Sequence, residues 1–192
     1  MTTTQVNERP QKISLKKLHY AVMTDEKTET YGEVKTLTMP ISLTLAPNFS
    51  EAHLDAGDRV VDQEAQLDSI TISGETADLP TEVQADWFGH KISSEGGIIT
   101  NVNDKPNTLA IGFESGSKMV WLYKAKFKLG EETNETRRKG EANYKTYPFS
   151  GEALPNLDGT VKHTLDTRDE SVTETPETFF SEVKKPSSVP TP

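Results

Sequence analysis

Apolar residues recur at every second position in several separate stretches of this chain. The clearest stretch is VKTLTMPISLTLA, in which the alternating apolar residues are Leu37, Met39, Ile41, Leu43 and Leu45. A period of two is typical of a β-strand with one buried face. Pro40 interrupts the run and favours an edge or bulged strand, because proline cannot donate a hydrogen bond to a central ladder.

Further strands are predicted in KISLKKLHYAVM, LDSITISGE, NTLAIGFES, KMVWLYKAKFKLG, YKTYPFSGEAL and TVKHTLDT. The first has a phase slip at Lys16-Lys17, which indicates a bulge. NTLAIGFES and the next run are joined through Gly116 and form a tight hairpin. In KMVWLYKAKFKLG, strict alternation assigns one face to Val120, Leu122 and Lys124, and the other to Met119, Trp121, Tyr123, Ala125, Phe127 and Leu129.

Short strands with only two short helices predict a mainly β chain, a β-sandwich or barrel-like fold. We expect one domain over residues 12–185, with a flanking helix at 78–88, a long extended loop at 47–66 and a short C-terminal helix. That last helix has Thr175 as its cap and Pro176 at its first position. Residues 1–11 are predicted to be a flexible arm and 186–192 a disordered tail.

The stretch ADLPTEVQADWFGHK contains acids and a histidine at four-residue spacing, which on a helix is one face. A structural helix explains the same residues. Asp78 is the expected N-cap, and Gly89 ends the helix. Leu79, Val83 and Trp87 form an apolar stripe that anchors it to the sheet. The acids then lie on the solvated side, and His90 lies beyond the end.

Residues 47–66 lack a clear hydrophobic period. Between Glu51 and Asp68 the sequence has six acids and a single cation, Arg59. A loop of this length is usually functional or disordered. Its apolar residues suggest a contact surface for a partner. We therefore predict a partner contact at Phe49, Leu54, Arg59, Val60 and Val61.

The composition and motifs give no indication of catalysis. The net charge of -9 argues against wrapping nucleic acid by phosphate neutralisation. The absence of cysteine excludes disulfides and thiolate chemistry. There is no apolar signal region or membrane-length run, no paired metal-binding histidines, and no hydrolase, P-loop or dinucleotide motif. We predict a soluble protein with no catalytic residue, cofactor or metal and no membrane partner.

The order of three motifs resembles major tail proteins of the phi13 type, from phages with long non-contractile tails. The DLP-EVQ helix segment is followed by AIGFES and then by VWLYKAKF, the family's hairpin and strand, and LKKLHYAV is similar to its opening strand. The resemblance covers roughly Lys12 to Leu165. Phe88 and Ala125 depart from the usual leucine and glycine.

The resemblance implies a tail-tube subunit of the virion, assembled in the host cytoplasm, and makes the predicted partner contact an inter-subunit one. Such subunits form rings of six that stack into a tube, contact other tail proteins, and let DNA pass without specific binding. Two alternatives remain open. One is a distal-tail or connector subunit on the same fold. The other is a carbohydrate-binding β-sandwich, which would need an aromatic platform and would be favoured if Trp121 or Tyr123 pointed outward.

Overall fold

The protein is mainly β, with two short helices. The computed structural model describes residues 14–55, 60–134 and 144–186, without the side chains of residues 53–55 and 60–62. Neither helix in these ranges is long and apolar enough to cross a membrane. In chain order the elements are β1 (Leu15–Asp25), β2 (Thr30–Tyr31), β3 (Lys35–Leu37), β4 (Pro40–Asp55), β5 (Val60–Thr76), α1 (Thr81–Phe88), β6 (Lys91–Ile92), β7 (Ile98–Ile99), β8 (Leu109–Ser115), β9 (Lys118–Leu129), β10 (Tyr147–Ala153), β11 (Lys162–Asp166) and α2 (Pro176–Phe179).

Within the described chain, nine strands form one antiparallel sheet in the order β2-β1-β8-β9-β10-β5-β4. β3 also pairs with β1, and β11 also pairs with β9, while β6 and β7 form a separate hairpin. β11 pairs with the first half of β9, and β10 pairs with its second half. β4 ends the sheet and approaches β1, so the sheet curls toward closure. The predicted sandwich or barrel-like class is confirmed.

β1 and β8 contain the irregularities and turn that their sequences predict. The pairing of β1 with β8 jumps from Leu15–Ser115 to Leu18–Phe113, so the slip at Lys16-Lys17 is a break in register. β8 and β9 are joined by two residues, and Gly116 has a φ of 62° there. A two-residue hairpin turn needs positive φ, which glycine adopts without strain.

β9 does not alternate throughout, which corrects the predicted assignment of its faces. At its midpoint three steps along β9 match two steps along β8. Lys124 lies there with a positive φ of 45°. One extra residue reverses the alternation. Ala125 and Phe127 therefore join the core that contains Leu122, although the sequence pattern assigned them to the face of Trp121.

Both faces of the sheet are covered along β8 and β9. The larger core lies under α1 and is centred on Trp87. A smaller core on the other face lies under α2 and contains Ala110, Met119, Trp121, Tyr123, Phe179 and Phe180. Burial on both faces explains why the sequences of these two strands are almost continuously apolar.

α1 begins three residues later than predicted. Pro80 occupies the N-cap position, and no side chain caps the helix. A proline disfavours helical backbone at the residue before it, so the helix cannot extend back through Leu79. The expected cap, Asp78, instead accepts a hydrogen bond at its backbone carbonyl from Thr76 Oγ1 at 2.8 Å. At the other end Gly89 adopts a φ of 72° and its N–H donates to the Ala85 carbonyl.

Residues 47–66, expected to be a long loop, are paired strands over the part described. β4 and β5 pair from Pro40–Thr76 to Asp55–Val60, with register shifts after Pro40, Asn48 and Leu54. The described residues here are mostly exposed on both faces. Backbone hydrogen bonds therefore hold this hairpin together although neither face is buried. Its sequence has no hydrophobic period for that reason, so no strand was predicted there.

Candidate functional site

The far part of the β4–β5 hairpin has no support from the rest of the sheet. β10 pairs with β5 only over residues 70–76. Within the described chain, residues 48–55 and 60–69, which we call the arm, therefore form a ladder only with each other. A two-stranded ribbon is marginally stable in water unless something packs against it.

The base of the arm is held by a chain of polar contacts. Asn48 Nδ2 donates to Ser69 Oγ at 3.0 Å and to Thr71 Oγ1 at 2.9 Å. Ser69 Oγ donates in turn to Glu152 Oε1 on β10 at 2.5 Å. Ser50 and Asp68 form a further hydrogen bond across the arm. These contacts fix the arm where it leaves the sheet.

β4 presents an outer edge as well as an arm. Among the described residues it pairs only with β5. The chain has no charged residue from Thr36 to Ser50, and exposed apolar side chains lie on β4 and directly before it. Met39 is 57% exposed, Ile41 50% and Phe49 59%. Long, apolar strand edges promote association with other strands unless they are covered.

Of the predicted contact residues, the structure describes the side chain of Phe49 alone, and that side chain is exposed on β4. The side chains of Leu54, Val60 and Val61 lie outside the described part, as does Arg59 entirely. The inter-subunit contact therefore stays a prediction for all five residues.

The aromatic residues that could have formed a carbohydrate platform are buried. Trp121 and Tyr123 are both 0% exposed. Trp121 Nε1 donates to the Phe179 carbonyl at 3.1 Å, and the Tyr123 hydroxyl donates to the Lys184 carbonyl at 2.5 Å. These two donors attach the segment after β11 to the sheet and leave no aromatic face there for a sugar.

Asp86, predicted to be solvated, attaches α1 to the sheet. Its Oδ2 accepts from the Tyr20 hydroxyl at 3.0 Å and from Lys35 Nζ at 2.7 Å. Burial, followed by the nearby Asp86 carboxylate, raises the pKa of Tyr20 well above its usual range. The hydrogen bond to Asp86 likewise raises the pKa of Lys35. On the apolar side of the helix Leu79, Val83 and Trp87 are buried.

His90 has a structural partner beyond the end of α1. Its Nδ1 lies 2.9 Å from Asp104 Oδ2, and both side chains are nearly buried. Asp104 Oδ2 also accepts the Asn101 N–H at 2.8 Å, which shapes the loop before β8. Within residues 14–55, 60–134 and 144–186, no group of three or more histidines or acids is arranged to hold a metal ion.

Glu29 is a buried acid that sequence reasoning missed. It is 5% exposed, has a φ of 50°, and accepts the Leu157 N–H at 2.7 Å. Lys185 Nζ lies 3.3 Å from its other oxygen, and Lys124 Nζ lies 3.7 Å away. Burial raises the pKa of the neighbouring Tyr31 to about 12. The partners come from distant parts of the chain, so no local pattern marks Glu29 as buried.

A groove of about 520 Å³ lies beside β11. Leu165, Val172 and Phe179 contribute apolar walls. Glu174 and Lys184, which form an ion pair at 2.6 Å, contribute polar ones. His163 also lines the groove, and its Nδ1 is buried without a hydrogen-bond partner in the described part of the chain.

No family model matches the sequence, and no curated protein matches it. Among solved structures, this chain is similar in shape to a chain of the anti-feeding prophage baseplate, determined by cryo-EM with 6-fold symmetry. The TM-score is 0.37 and the identity 11%, with 88% of this chain and 99% of that chain covered. An overlap of this quality carries no argument about function.

Proposed function

We propose that this chain is a structural subunit of a phage-type tail tube, which assembles into rings of six that stack and conduct DNA. The observation that carries the proposal is the unsupported arm. An extended two-stranded ribbon with an exposed Phe49 needs a partner surface to be stable. A neighbouring ring of the same protein supplies such a surface at every copy.

The outer edge of β4 supports assembly within a ring. Among the described residues β4 pairs only with β5, and exposed Ile41 on β4 and Met39 directly before it suit pairing with a strand of the adjacent subunit. A closed ring leaves no strand edge open, whereas a monomer exposes one over many residues. The order of the helix, hairpin and VWLYKAKF motifs also resembles that of major tail proteins, which favours a tail-tube subunit.

The charge of the chain suits a conduit for DNA. A net charge of -9 repels phosphates, so a genome would pass through the lumen without binding to its wall. Such a role requires no catalytic residue or cofactor. The subunit would join other tail proteins in the virion after assembly in the host cytoplasm.

Electron microscopy of the purified protein at high concentration tests the proposal. Tubes, or rings with six-fold symmetry, are the expected result. Rings that never stack would favour a connector or distal-tail subunit. A species that stays monomeric under all conditions and binds glycans in an array would overturn the proposal in favour of a carbohydrate-binding module.

Shortening the arm separates folding from assembly. Phe49 and Leu67 are paired at its base, so residues 50–66 can be replaced by an Asn-Gly turn. We expect a folded protein, with an unchanged thermal transition of the core, that no longer forms tubes. Loss of the fold would mean that the arm belongs to the core and would remove the main support for the proposal.

A further inference from the structure

The segment that follows α2 is held on the sheet less firmly than the helix itself. Residues 181–186, which we call the flap, pair with no strand among the described residues. At the end of the helix, Phe179 and Phe180 are both buried in the smaller core. In the flap, Val183 packs against that core and is only partly buried. Apolar burial therefore holds the helix in place and contributes much less to the flap.

Two polar contacts attach the flap to the rest of the chain. The Tyr123 hydroxyl donates to the Lys184 carbonyl at 2.5 Å. Lys185 Nζ donates to Glu29 Oε2, in the turn between β1 and β2, at 3.3 Å. The side chain of Lys184 pairs with Glu174, which directly precedes the cap of α2 and so adds no link to the sheet. Among the ion pairs that the structure describes, the one between Lys185 and Glu29 joins the flap to the turn.

Glu29 occupies a strained position in that turn. Its φ is 50°, and Lys124, whose Nζ lies 3.7 Å from Glu29 Oε1, has a φ of 45°. Side chains with a Cβ adopt this backbone at a cost and keep it where the surroundings hold them. Glycine would adopt the same φ without strain, so what Glu29 adds to the turn is its buried carboxylate.

The flap and the turn are not tightly packed against each other. A groove of about 570 Å³ is lined by residues 28–32 on one side and residues 182–185 on the other. Glu29 and Lys185 both line it. Atoms that border open space lose dispersion contacts on that side. The ion pair therefore connects two surfaces that have little other contact to hold them together.

We infer that the Glu29 carboxylate is a latch for the flap. Its ion pair with Lys185 keeps residues 181–186 closed over Tyr123, and loss of the pair opens them while α2 stays in place. Segments with few buried apolar contacts open locally without global unfolding. The latch is a conformational device within one copy of the chain, and it does not depend on the proposed assembly.

The labelling rate of a single introduced thiol measures this opening. The chain contains no cysteine, so one substitution reports on one site. Val183→Cys places the thiol in the flap, whereas Met119→Cys places it elsewhere in the same core at a residue that is 0% exposed. Each folded variant, verified by circular dichroism, is mixed with a thiol reagent such as DTNB. A buried thiol reacts in proportion to the population of the open form.

Glu29→Gln removes the charge of the latch and keeps the size of the side chain. We expect it to accelerate labelling of Val183→Cys by about tenfold or more, as for loss of a hydrogen bond between charged groups. Labelling of Met119→Cys should not change. Glu132→Gln is the matched control, because it removes the charge from the exposed pair with Lys145. It should alter both rates by less than about twofold.

Salt separates loss of charge from loss of packing. At 1 M KCl the Debye length is about 3 Å, so the partly exposed Lys185–Glu29 pair is weakened. Labelling of Val183→Cys should accelerate with salt when Glu29 is present. The same salt should have no such effect in the Glu29→Gln background, where the pair no longer exists.

Equal labelling of Val183→Cys with Glu29 and with Glu29→Gln would overturn the inference. Equal acceleration at Met119→Cys would also overturn it, because the core under α2 would then open together with the flap. If Glu29→Gln does not fold, Lys185→Met takes its place, since it removes the cation of the flap and leaves Glu29 beside Lys124. Labelling of Val183→Cys should again accelerate, and an unchanged rate would overturn the latch.

Discussion

The indole of Trp87 stacks on the phenyl ring of Phe127, with ring centroids 4.7 Å apart and planes inclined by 25°. Tyr20 and Phe149 meet the same indole edge-on, with centroid distances of 5.7 and 5.1 Å. One helix side chain therefore joins β1, β9 and β10. Replacing Trp87 by alanine should destabilise the protein by about 3–5 kcal/mol, as for large aromatic residues in other cores.

The two tryptophans should respond differently to replacement by phenylalanine. Both are 0% exposed, but Trp121 Nε1 donates to the Phe179 carbonyl, and Trp87 Nε1 has no partner among the described residues. Trp121→Phe leaves a buried carbonyl unsatisfied. We expect it to destabilise the fold by about 1–3 kcal/mol more than Trp87→Phe, measured by urea unfolding. Equal losses would contradict the role assigned to the Trp121 hydrogen bond.

Two glycines with similar backbone angles should differ in their tolerance of alanine. Gly89 has a φ of 72°, and a Cβ there would lie 2.0 Å from the Lys105 carbonyl oxygen. Gly96 has a φ of 84° with open space around it. Gly96→Ala should cost only the left-handed strain, about 1–2 kcal/mol. Gly89→Ala should cost clearly more, because the backbone at Lys105 must also move to make room for the added Cβ. Thermal unfolding of both variants measures the difference, and similar transitions would show that the loop at Lys105 yields easily.

The two helix N-termini differ in capping. The side chain of Thr175 accepts from the Thr178 N–H in a capping box, whereas the side chain of Asp78 does not cap α1. Thr175→Ala should therefore destabilise the protein by about 1 kcal/mol. Asp78→Ala should change its stability by less than about 0.5 kcal/mol, as at ordinary surface sites. A larger loss for Asp78→Ala in denaturant unfolding would indicate that this carboxylate caps the helix in solution.

His19 makes stability depend on pH. Burial, followed by nearby Lys17, lowers its pKa from 6.5 to about 4. It stacks on Phe180 at 4.3 Å, contacts Thr36 at 3.0 Å, and has Glu114 as an opposing charge. Between pH 6.5 and 4 the unfolded chain binds a proton that the folded chain does not, so stability falls as the pH falls through this range. His19→Gln should reduce that slope in urea titrations at several pH values. Parallel curves for the two proteins would contradict this.

Strand positions could be predicted from the sequence wherever one face is buried and the other exposed. The alternation around Leu43 and Leu45, the slip at Lys16-Lys17 and the turn at Gly116 each have a local chemical cause. The faces of β9 could not be predicted, because the bulge at Lys124 has no marker in the sequence. Only pairing with β8 reveals the extra residue.

The candidate site was less predictable than the fold. Phe49 could be proposed as a contact residue because an apolar side chain stands in an acidic segment. That segment was expected to be irregular, since a ribbon exposed on both faces has no period. Glu29 and Asp86 acquire their roles from residues far away in the chain, so single-sequence patterns contain no signal for them.

The mass of the assembled species distinguishes a ring-forming subunit from a monomer. Sedimentation velocity over a wide concentration range measures it without a surface or stain. We expect a species of six times the 21.3 kDa chain mass, together with larger stacks of it, and loss of the stacks when the arm is shortened. A single 21.3 kDa monomer at every concentration would contradict the proposed assembly into rings.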